Sequence, residues 1–284
     1  MPDPRGREGR RRRRVRGGHG GDGARPMTTT IHPTALIDPG ATLGSDVTVG
    51  PWAIIGPDCQ VGDGCVIEAR ATLEAHVRLA PRVRVGIGSI LGGLPQDLKF
   101  KGEVTTVEIG EGTTIREYVT INRGTAESHR TTVGRGCFLM AYVHLAHDCH
   151  VGDGVIVSNG TQFAGHVTVE DRAIISGLCA VHQFVRIGRH AFIGGASRVT
   201  KDIPPFVKAV GNPVALYGLN SVGLQRSGFA PEVVAELKKA YRLFFRSELN
   251  ITQAREQARA TLAPMAEVEA FIAFVEASGR GVVV

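Results

Sequence analysis

The sequence lacks any apolar run of about 18 residues, the length that a membrane-spanning helix needs, which argues against an integral membrane protein. Its five cysteines include no C-x-x-C motif. Residues 1–26 carry the whole net charge of +6, and acidic and basic residues balance in the remainder. A basic folded domain is therefore not indicated, and no nucleic-acid partner is expected.

The arginine-rich segment 1–26 has no apolar stretch of the kind found in secretory signals, so we expect a cytoplasmic protein. Two interpretations of the segment stay open. It could be an arm attracted to RNA or anionic lipid. The interpretation we favour is a disordered tail, or a misassigned start with Met27 as the true first residue.

What the sequence has in abundance is a six-residue repeat. Of the 29 positions spaced by six from Ile31 to Val199, 25 are Ile, Leu or Val and one is Phe163. Glycine often follows the aliphatic residue, and we expect it to permit the turn that redirects the chain. Short strands of this period stack as a parallel β-helix, in which three hexads make one triangular coil of about 18 residues.

The repeat is interrupted twice and then ends. Residues 96–107 and 126–132 lose the aliphatic position, but the register resumes in phase, so each interruption is predicted to loop out from a corner. We assign residues 27–203 to the β-helix and 204–284 to a C-terminal helical domain, with helices near 231–246, 252–262 and 265–278.

The cysteines all occupy a small position of the repeat, four residues after the aliphatic one. This set consists of Cys59, Cys65, Cys137, Cys149 and Cys179. Because none lies one coil length from another, we interpret them as small core residues in a reducing compartment rather than as disulfides or metal ligands.

Coil arithmetic gathers polar residues at one edge of the prism. One coil after His147 comes Gly165, and two coils after it comes Gln183, while His166 lies one coil after Asp148. Three interpretations compete for this patch: a histidine base beside a carboxylate, with the Gly165 N–H facing an oxyanion; a zinc site; and turn histidines that only satisfy backbone groups.

Several motifs make the pattern more specific. They are QDLKFKG at 96–102, VTINRGT at 119–125, HLAHDC at 144–149, AGH at 164–166 and VHQF at 181–184. Together with residues 211–229 they resemble the acyl-ACP–UDP-N-acetylglucosamine O-acyltransferases of lipid A biosynthesis. The resemblance covers about residues 30–280. It implies a left-handed β-helix, a homotrimer, and acyl carrier protein and UDP-N-acetylglucosamine as partners, with no cofactor and no metal.

The same resemblance implies roles for individual residues. His147 would be the general base, Asp148 would orient it, and the Gly165 N–H would stabilise the oxyanion. The positions that would hold the sugar, the acyl chain and the uridine diphosphate are Asp97, Lys99, His144, His166, Gln183, Asn220 and Arg226. Gly195 would leave the acyl groove open for a long 3-hydroxyacyl chain, although it could equally be one more turn glycine.

Departures from the family pattern leave alternatives open. Asn122, Val222 and Ser227 stand where relatives carry other residues, which could reflect a 3-amino sugar acceptor and an amide product. The related N-acyltransferase of the same pathway is a second alternative, although it carries a globular domain before its hexads. A zinc carbonic anhydrase is a third, although its paired histidines are spaced differently from His144 and His147.

Overall fold

The computed structural model describes residues 28–284, and the predicted disordered tail at 1–26 lies outside the described residues. Residues 30–199 form short strands, mostly of two residues, that lie in three parallel sheets. Consecutive strands fall in different sheets and each pairs with the strand one coil later, so the backbone winds as a triangular β-helix. The β-helix predicted from the hexad repeat is confirmed.

The strand bounds follow the three faces of the prism. The first sheet contains β1 (Thr30–Ile31), β4 (Thr48–Val49), β7 (Val66–Ile67), β10 (Arg84–Val85), β13 (Thr114–Ile115), β16 (Phe138–Leu139), β19 (Ile156–Val157), β22 (Ile174–Ile175), β25 (Phe192–Ile193), β27 (Val207–Val210) and β28 (Ala215–Leu219). The second contains β2 (Leu36–Ile37), β5 (Ile54–Ile55), β8 (Thr72–Leu73), β11 (Ile90–Gly93), β14 (Thr120–Asn122), β17 (His144–Leu145), β20 (Gln162–Phe163), β23 (Ala180–Val181) and β26 (Arg198–Val199). The third contains β3 (Thr42–Leu43), β6 (Gln60–Val61), β9 (Val77–Leu79), β12 (Thr106–Ile109), β15 (Arg130–Val133), β18 (His150–Val151), β21 (Thr168–Val169) and β24 (Arg186–Ile187).

The aliphatic residue of each hexad points into the prism. Val49 pairs with Ile67 and Ile67 with Val85, and all three side chains are buried. Columns of this kind run along each face, and burying each such side chain contributes about 1.5–3 kcal/mol. The residues of these columns are therefore those that the six-residue period marks as aliphatic.

The glycine after the inward residue does not turn the chain, which corrects the sequence-based expectation. Gly50 and Gly56 lack a positive φ; the residue two positions later takes it, as in Trp52 (φ 60°) and Asp58 (φ 56°). Glycine is needed because a Cβ at Gly56 would lie 1.7 Å from the carbonyl oxygen of Glu74 in the next coil. Close approach between coils, rather than backbone freedom, explains these glycines.

Two inserts lengthen the coils at the corner between the second and third sheets. The first, at 96–105, increases the offset between paired residues to 30, as for Arg84 and Thr114. The second, at 123–129, gives an offset of 24 between Thr106 and Arg130. The offset returns to 18 in the following coil. Both inserts replace whole hexads, as predicted, so the stack continues without a change of face.

The chain leaves the β-helix through an antiparallel hairpin that the sequence analysis did not predict. The strands β27 and β28 form it, and β27 also pairs with β25, so the first sheet continues past residue 203. Four helices follow: α1 (Ser221–Arg226), α2 (Pro231–Phe245), α3 (Ile251–Thr261) and α4 (Ala266–Glu276). The last three are those predicted from the sequence. Within residues 28–284, no helix has the length and apolarity to cross a bilayer.

Local sequence explains where two of these helices begin, and a hydrogen bond ties the chain after α4 to the prism. Pro231 starts α2, where its missing N–H costs nothing. Asn250 and Gln253 form a reciprocal capping box at the start of α3. Beyond α4 the chain returns to the prism, where the Ser278 hydroxyl donates to the buried Asp202 carboxylate at 2.8 Å.

Candidate active site

The corner between the second and third sheets brings the predicted catalytic residues together. Backbone hydrogen bonds join successive coils there, from the His166 N–H to the His147 carbonyl at 3.0 Å and from the Phe184 N–H to the Gly165 carbonyl at 3.1 Å. Gln183 is exposed one coil above Gly165 and lines the same cleft as His147 and His166. The coil arithmetic therefore places these residues correctly.

His147 and Asp148 form a buried hydrogen-bonded pair. The Nδ1 atom of His147 lies 2.8 Å from Oδ2 of Asp148. Asp148 is only 1% exposed, although the coil arithmetic places it at an edge of the prism. It does occupy the turn, with φ 59°, but the second insert covers it.

The second insert surrounds the Asp148 carboxylate with donors. Thr125 donates its N–H to Oδ1 at 3.0 Å and its hydroxyl to Oδ2 at 2.7 Å. The N–H of Ser128 reaches Oδ1 at 3.3 Å, and its hydroxyl also contacts Oδ1. Burial opposes ionisation, but the hydrogen bonds from Ser128, His147 and Thr125 outweigh it and lower the pKa of Asp148 to about 2. Asp148 is therefore a carboxylate at neutral pH.

Gly165 lies against the His147 ring. A Cβ at Gly165 would lie 2.6 Å from Cε1 and 2.7 Å from Nε2 of that ring, so the imidazole fills the space of a side chain. Within residues 28–284, neither the Gly165 N–H nor the His147 Nε2 has a hydrogen-bond partner. A donor and an acceptor are thus left side by side for a substrate.

His166 is held between aromatic and acidic neighbours. Its ring stacks on Phe184 with centroids 4.4 Å apart, and it meets the His147 ring edge-on at 4.9 Å. Its Nδ1 atom lies 3.7 Å from a carboxylate oxygen of Glu127 and 3.8 Å from Oδ2 of Asp148. These contacts fix the ring beside the His147–Asp148 pair.

The two inserts wall a cleft of about 640 Å³ in front of this pair. The predicted substrate residues Asp97 and Lys99 lie in the first insert, and Asp97 accepts a hydrogen bond from the Lys99 N–H at 2.9 Å. The cleft is lined by Gln96, Asp97, Leu98, Lys99, Phe100, Glu103, Thr125, Ala126, Glu127, His147, His166, Gln183 and Phe184. It has room for a sugar-sized ligand.

His144 faces a separate hollow on the second sheet. Its Nδ1 lies 2.7 Å from the Thr120 hydroxyl, and burial, with a smaller effect from His147, lowers its pKa. Gln96 lines both this hollow and the main cleft, so the two are neighbours. The remaining lining residues of the hollow are Tyr118, Tyr142 and Gln162.

Three predicted site residues, among those that the structure describes, line neither the cleft nor the hollow of His144 and make no contact with the His147–Asp148 pair. Asn220 caps α1 by accepting from the Gly223 N–H, and it donates to the His190 carbonyl at 3.0 Å. Arg226 is exposed in the last turn of α1. Gly195 is exposed at a corner between the first and second sheets. The structure of one chain therefore does not bring these three to His147.

The sequence analysis gave no role to four residues around the His147–Asp148 pair, three of which lie in the second insert. Thr125 and Ser128 bind Asp148, Glu127 approaches His166, and Phe184 supports the His166 ring. The available signal was the second interruption itself, since loops on a rigid scaffold often carry site residues. The spacing alone could not show which of their side chains turn inward.

All five cysteines are free and buried, as the repeat predicts. Cys149 directly follows Asp148 in the chain, but burial raises the pKa of its thiol to about 12. A protonated, inaccessible thiol is a poor nucleophile. Nothing in its environment prepares it to carry an acyl group.

Within residues 28–284, one set of side chains has the geometry to hold a metal ion. Ligand atoms of His147, Asp148 and His166 all lie within 4.8 Å of one another. The Nδ1 atom of His147 already faces the Asp148 carboxylate, so a metal bound through Nδ1 would replace that hydrogen bond. The zinc alternative from the sequence thus competes with the histidine–aspartate pair for the same atoms.

This fold and corner cleft define the class of the hexapeptide-repeat transferases, and residues 130–165 match the family model described as bacterial transferase hexapeptide (six repeats). Residues 202–283 match the second domain of UDP-N-acetylglucosamine O-acyltransferase. The acyl-[acyl-carrier-protein]–UDP-N-acetylglucosamine O-acyltransferase of Burkholderia mallei is 45% identical over 205 residues, which cover 70% of this chain and 78% of that protein.

Solved structures agree. LpxA, a UDP-N-acetylglucosamine acyltransferase from Bacteroides fragilis, is 40% identical with a TM-score of 0.88, covering 90% of this chain and 100% of the other. LpxA from Acinetobacter baumannii is 37% identical with a TM-score of 0.87, covering 89% and 99%. The chain belongs to the UDP-N-acetylglucosamine O-acyltransferase family, and its prism is a left-handed β-helix.

Proposed function

We propose that this protein transfers an (R)-3-hydroxyacyl group from acyl carrier protein to the 3-hydroxyl of UDP-N-acetylglucosamine, the first step of lipid A biosynthesis, with His147 as general base. The observation that carries the mechanism is the buried pair: Nδ1 of His147 on the Asp148 carboxylate, with Nε2 beside Gly165. Family membership supports the two substrates, since the matched relatives are named for them.

The pair sets the tautomer that the reaction needs. Because Asp148 is ionised, Nδ1 of His147 carries the proton and donates it, which leaves the Nε2 lone pair free. Nε2 takes the proton of the sugar hydroxyl as its oxygen attacks the thioester carbonyl carbon. Collapse of the tetrahedral intermediate breaks the C–S bond, and the protonated His147 returns the proton to the leaving thiolate of the carrier protein.

The Gly165 N–H would stabilise the oxyanion of that intermediate. It has no hydrogen-bond partner in the part of the chain that the structure describes, and it lies beside the ring that takes the proton. A fixed donor beside a developing negative charge lowers the barrier without rearrangement. Asp97, Lys99, His166 and Gln183 would then hold the sugar and acyl chain in the cleft, with His144 in the adjoining hollow.

The uridine diphosphate end is assigned to Asn220 and Arg226, with the active site completed in a homotrimer. Neither residue lines the cleft of its own chain among residues 28–284, which fits a site shared between neighbouring prisms. The exposed Arg226 offers a planar fork of donors to a diphosphate. Five free, buried cysteines fit the reducing cytoplasm as the location of the enzyme.

Gly195 supports a preference for a long acyl chain. Its φ is not in the left-handed region, and a Cβ there would meet nothing closer than the Gly177 carbonyl oxygen at 3.4 Å. Neither conformation nor packing requires glycine, so the alternative of an ordinary turn glycine loses its support. An absent side chain that leaves the groove open is the better explanation.

A 3-amino sugar acceptor is the second candidate, and Asn122 is the observation that favours it. Asn122 departs from the family pattern that the sequence resembles, and its buried Oδ1 has no hydrogen-bond partner among the described residues. With an amino acceptor the same geometry would yield an amide. The transfer assay therefore includes both acceptors.

The test is acyl transfer from 3-hydroxymyristoyl-ACP to each acceptor by wild type, His147→Ala and the control His32→Ala, whose exposed histidine lies at the start of the prism. We expect product from wild type and the control, and a loss of about a thousandfold in His147→Ala. Undiminished transfer by His147→Ala would remove the base from the mechanism. No product from any chain length with either acceptor would overturn the reaction.

A further inference from the structure

Ser128 makes a contact that no catalytic role explains. It lies in the second insert, outside the repeat, and its half-buried hydroxyl reaches Oδ1 of Asp148 from 20 residues earlier in the chain. The same hydroxyl also lies 2.9 Å from the Arg130 carbonyl oxygen. The hydroxyl has one proton and two possible acceptors. It donates to the Asp148 carboxylate, because a charged oxygen is a stronger acceptor than a carbonyl oxygen.

The donors on Asp148 divide between its two oxygens. Oδ1 receives the N–H of Thr125 and both donors of Ser128, whereas Oδ2 receives the Thr125 hydroxyl and faces Nδ1 of His147. Rotation of the carboxylate would break bonds on both sides at once. The insert therefore clamps the plane of the carboxylate that faces the catalytic ring.

We propose that Ser128 is a positioning residue for acyl transfer, which acts through Asp148 to hold the His147 ring in its reactive orientation. This inference rests on the proposed function, because it assumes that His147 is the base. Ser128 is not among the residues that line the cleft, and its hydroxyl contacts Asp148 instead. The second insert then has a defined role, because it completes the catalytic pair that the regular coils alone leave uncovered.

Removal of the hydroxyl should lower turnover without weakening binding. In Ser128→Ala, kcat is expected to fall about 10- to 100-fold, since small misplacements of a catalytic group have effects of this size. KM for both substrates should stay within about twofold, because no binding contact is lost. Ser128→Thr keeps the hydroxyl and should recover most of kcat.

The matched control is His129→Asn in the same insert. His129 is exposed, its side chain makes no contact with Asp148, and its φ of 60° is one that asparagine tolerates. This variant should retain wild-type kcat. If His129→Asn loses as much as Ser128→Ala, the insert is merely sensitive to substitution and the positioning role is overturned.

A double-mutant cycle with Asp148→Asn decides whether Ser128 acts through Asp148. Asparagine also suits the left-handed φ at position 148, so the corner can form. If Ser128 acts through the carboxylate, Ser128→Ala should cause no further loss of kcat in the Asp148→Asn background. Independent, multiplying losses would contradict the proposal, as would full activity of the single variant.

The outcomes separate this inference from the proposed function. If His147→Ala is inactive while Ser128→Ala is fully active, the base stands and only the positioning role fails. If His147→Ala retains full activity, the base itself fails, and the positioning role fails with it. Both proposals are supported if His147→Ala and Ser128→Ala both lose kcat, Ser128→Thr recovers it, and Ser128→Ala causes no further loss in the Asp148→Asn background.

Discussion

The His147 ring fills the space that a side chain at Gly165 would need, because a Cβ there would lie 2.6 Å from Cε1 of the imidazole. Gly165→Ala should therefore displace the ring and lower kcat by about 100-fold. The control is Gly279→Ala, whose Cβ would enter open space at an ordinary φ. Equal activity of the two variants in the transfer assay would show that the ring can move without loss.

Asp148 is expected to stabilise the fold in a pH-dependent manner. Its folded pKa of about 2 lies below the usual value for an unfolded carboxyl, so the stabilisation is fully present above about pH 5 and is lost as pH falls towards 2. At pH 7 the contribution is about 2 kcal/mol, and at pH 3 about half of that. The test is to measure the unfolding free energies of wild type and Asp148→Asn at both pH values. A difference between the two proteins that is as large at pH 3 as at pH 7 would contradict the prediction.

Gly195→Met should shift acyl-chain preference without harming the fold. Its Cβ meets the Gly177 carbonyl oxygen at an ordinary 3.4 Å, so the backbone accepts a side chain, which would narrow the acyl groove that the family resemblance implies at this position. Competition between long and short 3-hydroxyacyl-ACP donors should turn towards the shorter donor, with an unchanged melting temperature. Unaltered preference would separate Gly195 from chain-length selection.

Removal of metal should leave acyl transfer unchanged. Two of the three residues that could bind an ion, His147 and Asp148, already form a hydrogen bond with each other, and the proposed steps use that bond intact. Activity and metal content are measured before and after dialysis against a chelator. Stoichiometric zinc, with activity lost on its removal and restored on its return, would revive the zinc interpretation.

Cys149 should be dispensable. Burial raises the pKa of its thiol to about 12, so the native protein should resist alkylation at Cys149 at pH 8, and Cys149→Ala should keep its activity. Mass spectrometry after incubation with the acyl donor gives the direct check. An acyl group found on Cys149 would contradict this prediction and would indicate a covalent acyl-enzyme intermediate instead of direct transfer.

The regular part of the site was predictable because a fixed coil length converts spacing in sequence into distance in space. Gly165 and Gln183 follow His147 at one and two coils, and the backbone hydrogen bonds place them there. The resemblance added the roles that spacing could not assign. The resemblance also supplied the left-handed sense of the β-helix, which the six-residue period does not determine.

The sequence predicted where the inserts lie but not which residues they contact. Loss of the aliphatic position marked 126–132 as a loop, yet nothing in its sequence showed that Ser128 would turn back to Asp148. Outside the repeat, side-chain direction depends on what the loop packs against, and that partner is remote in the chain. The β27–β28 hairpin escaped prediction for the same reason, since no period continues past residue 199.

The hexad pattern thus specified the prism, its inward columns and the corner at which His147 lies, because each follows from a local pattern repeated in phase. The packing of the folded chain was needed to show that Asp148 is buried and ionised under the second insert, and that Gly56 is demanded by the coil above it rather than by its own turn. Both depend on groups from neighbouring coils, whose approach no single hexad encodes.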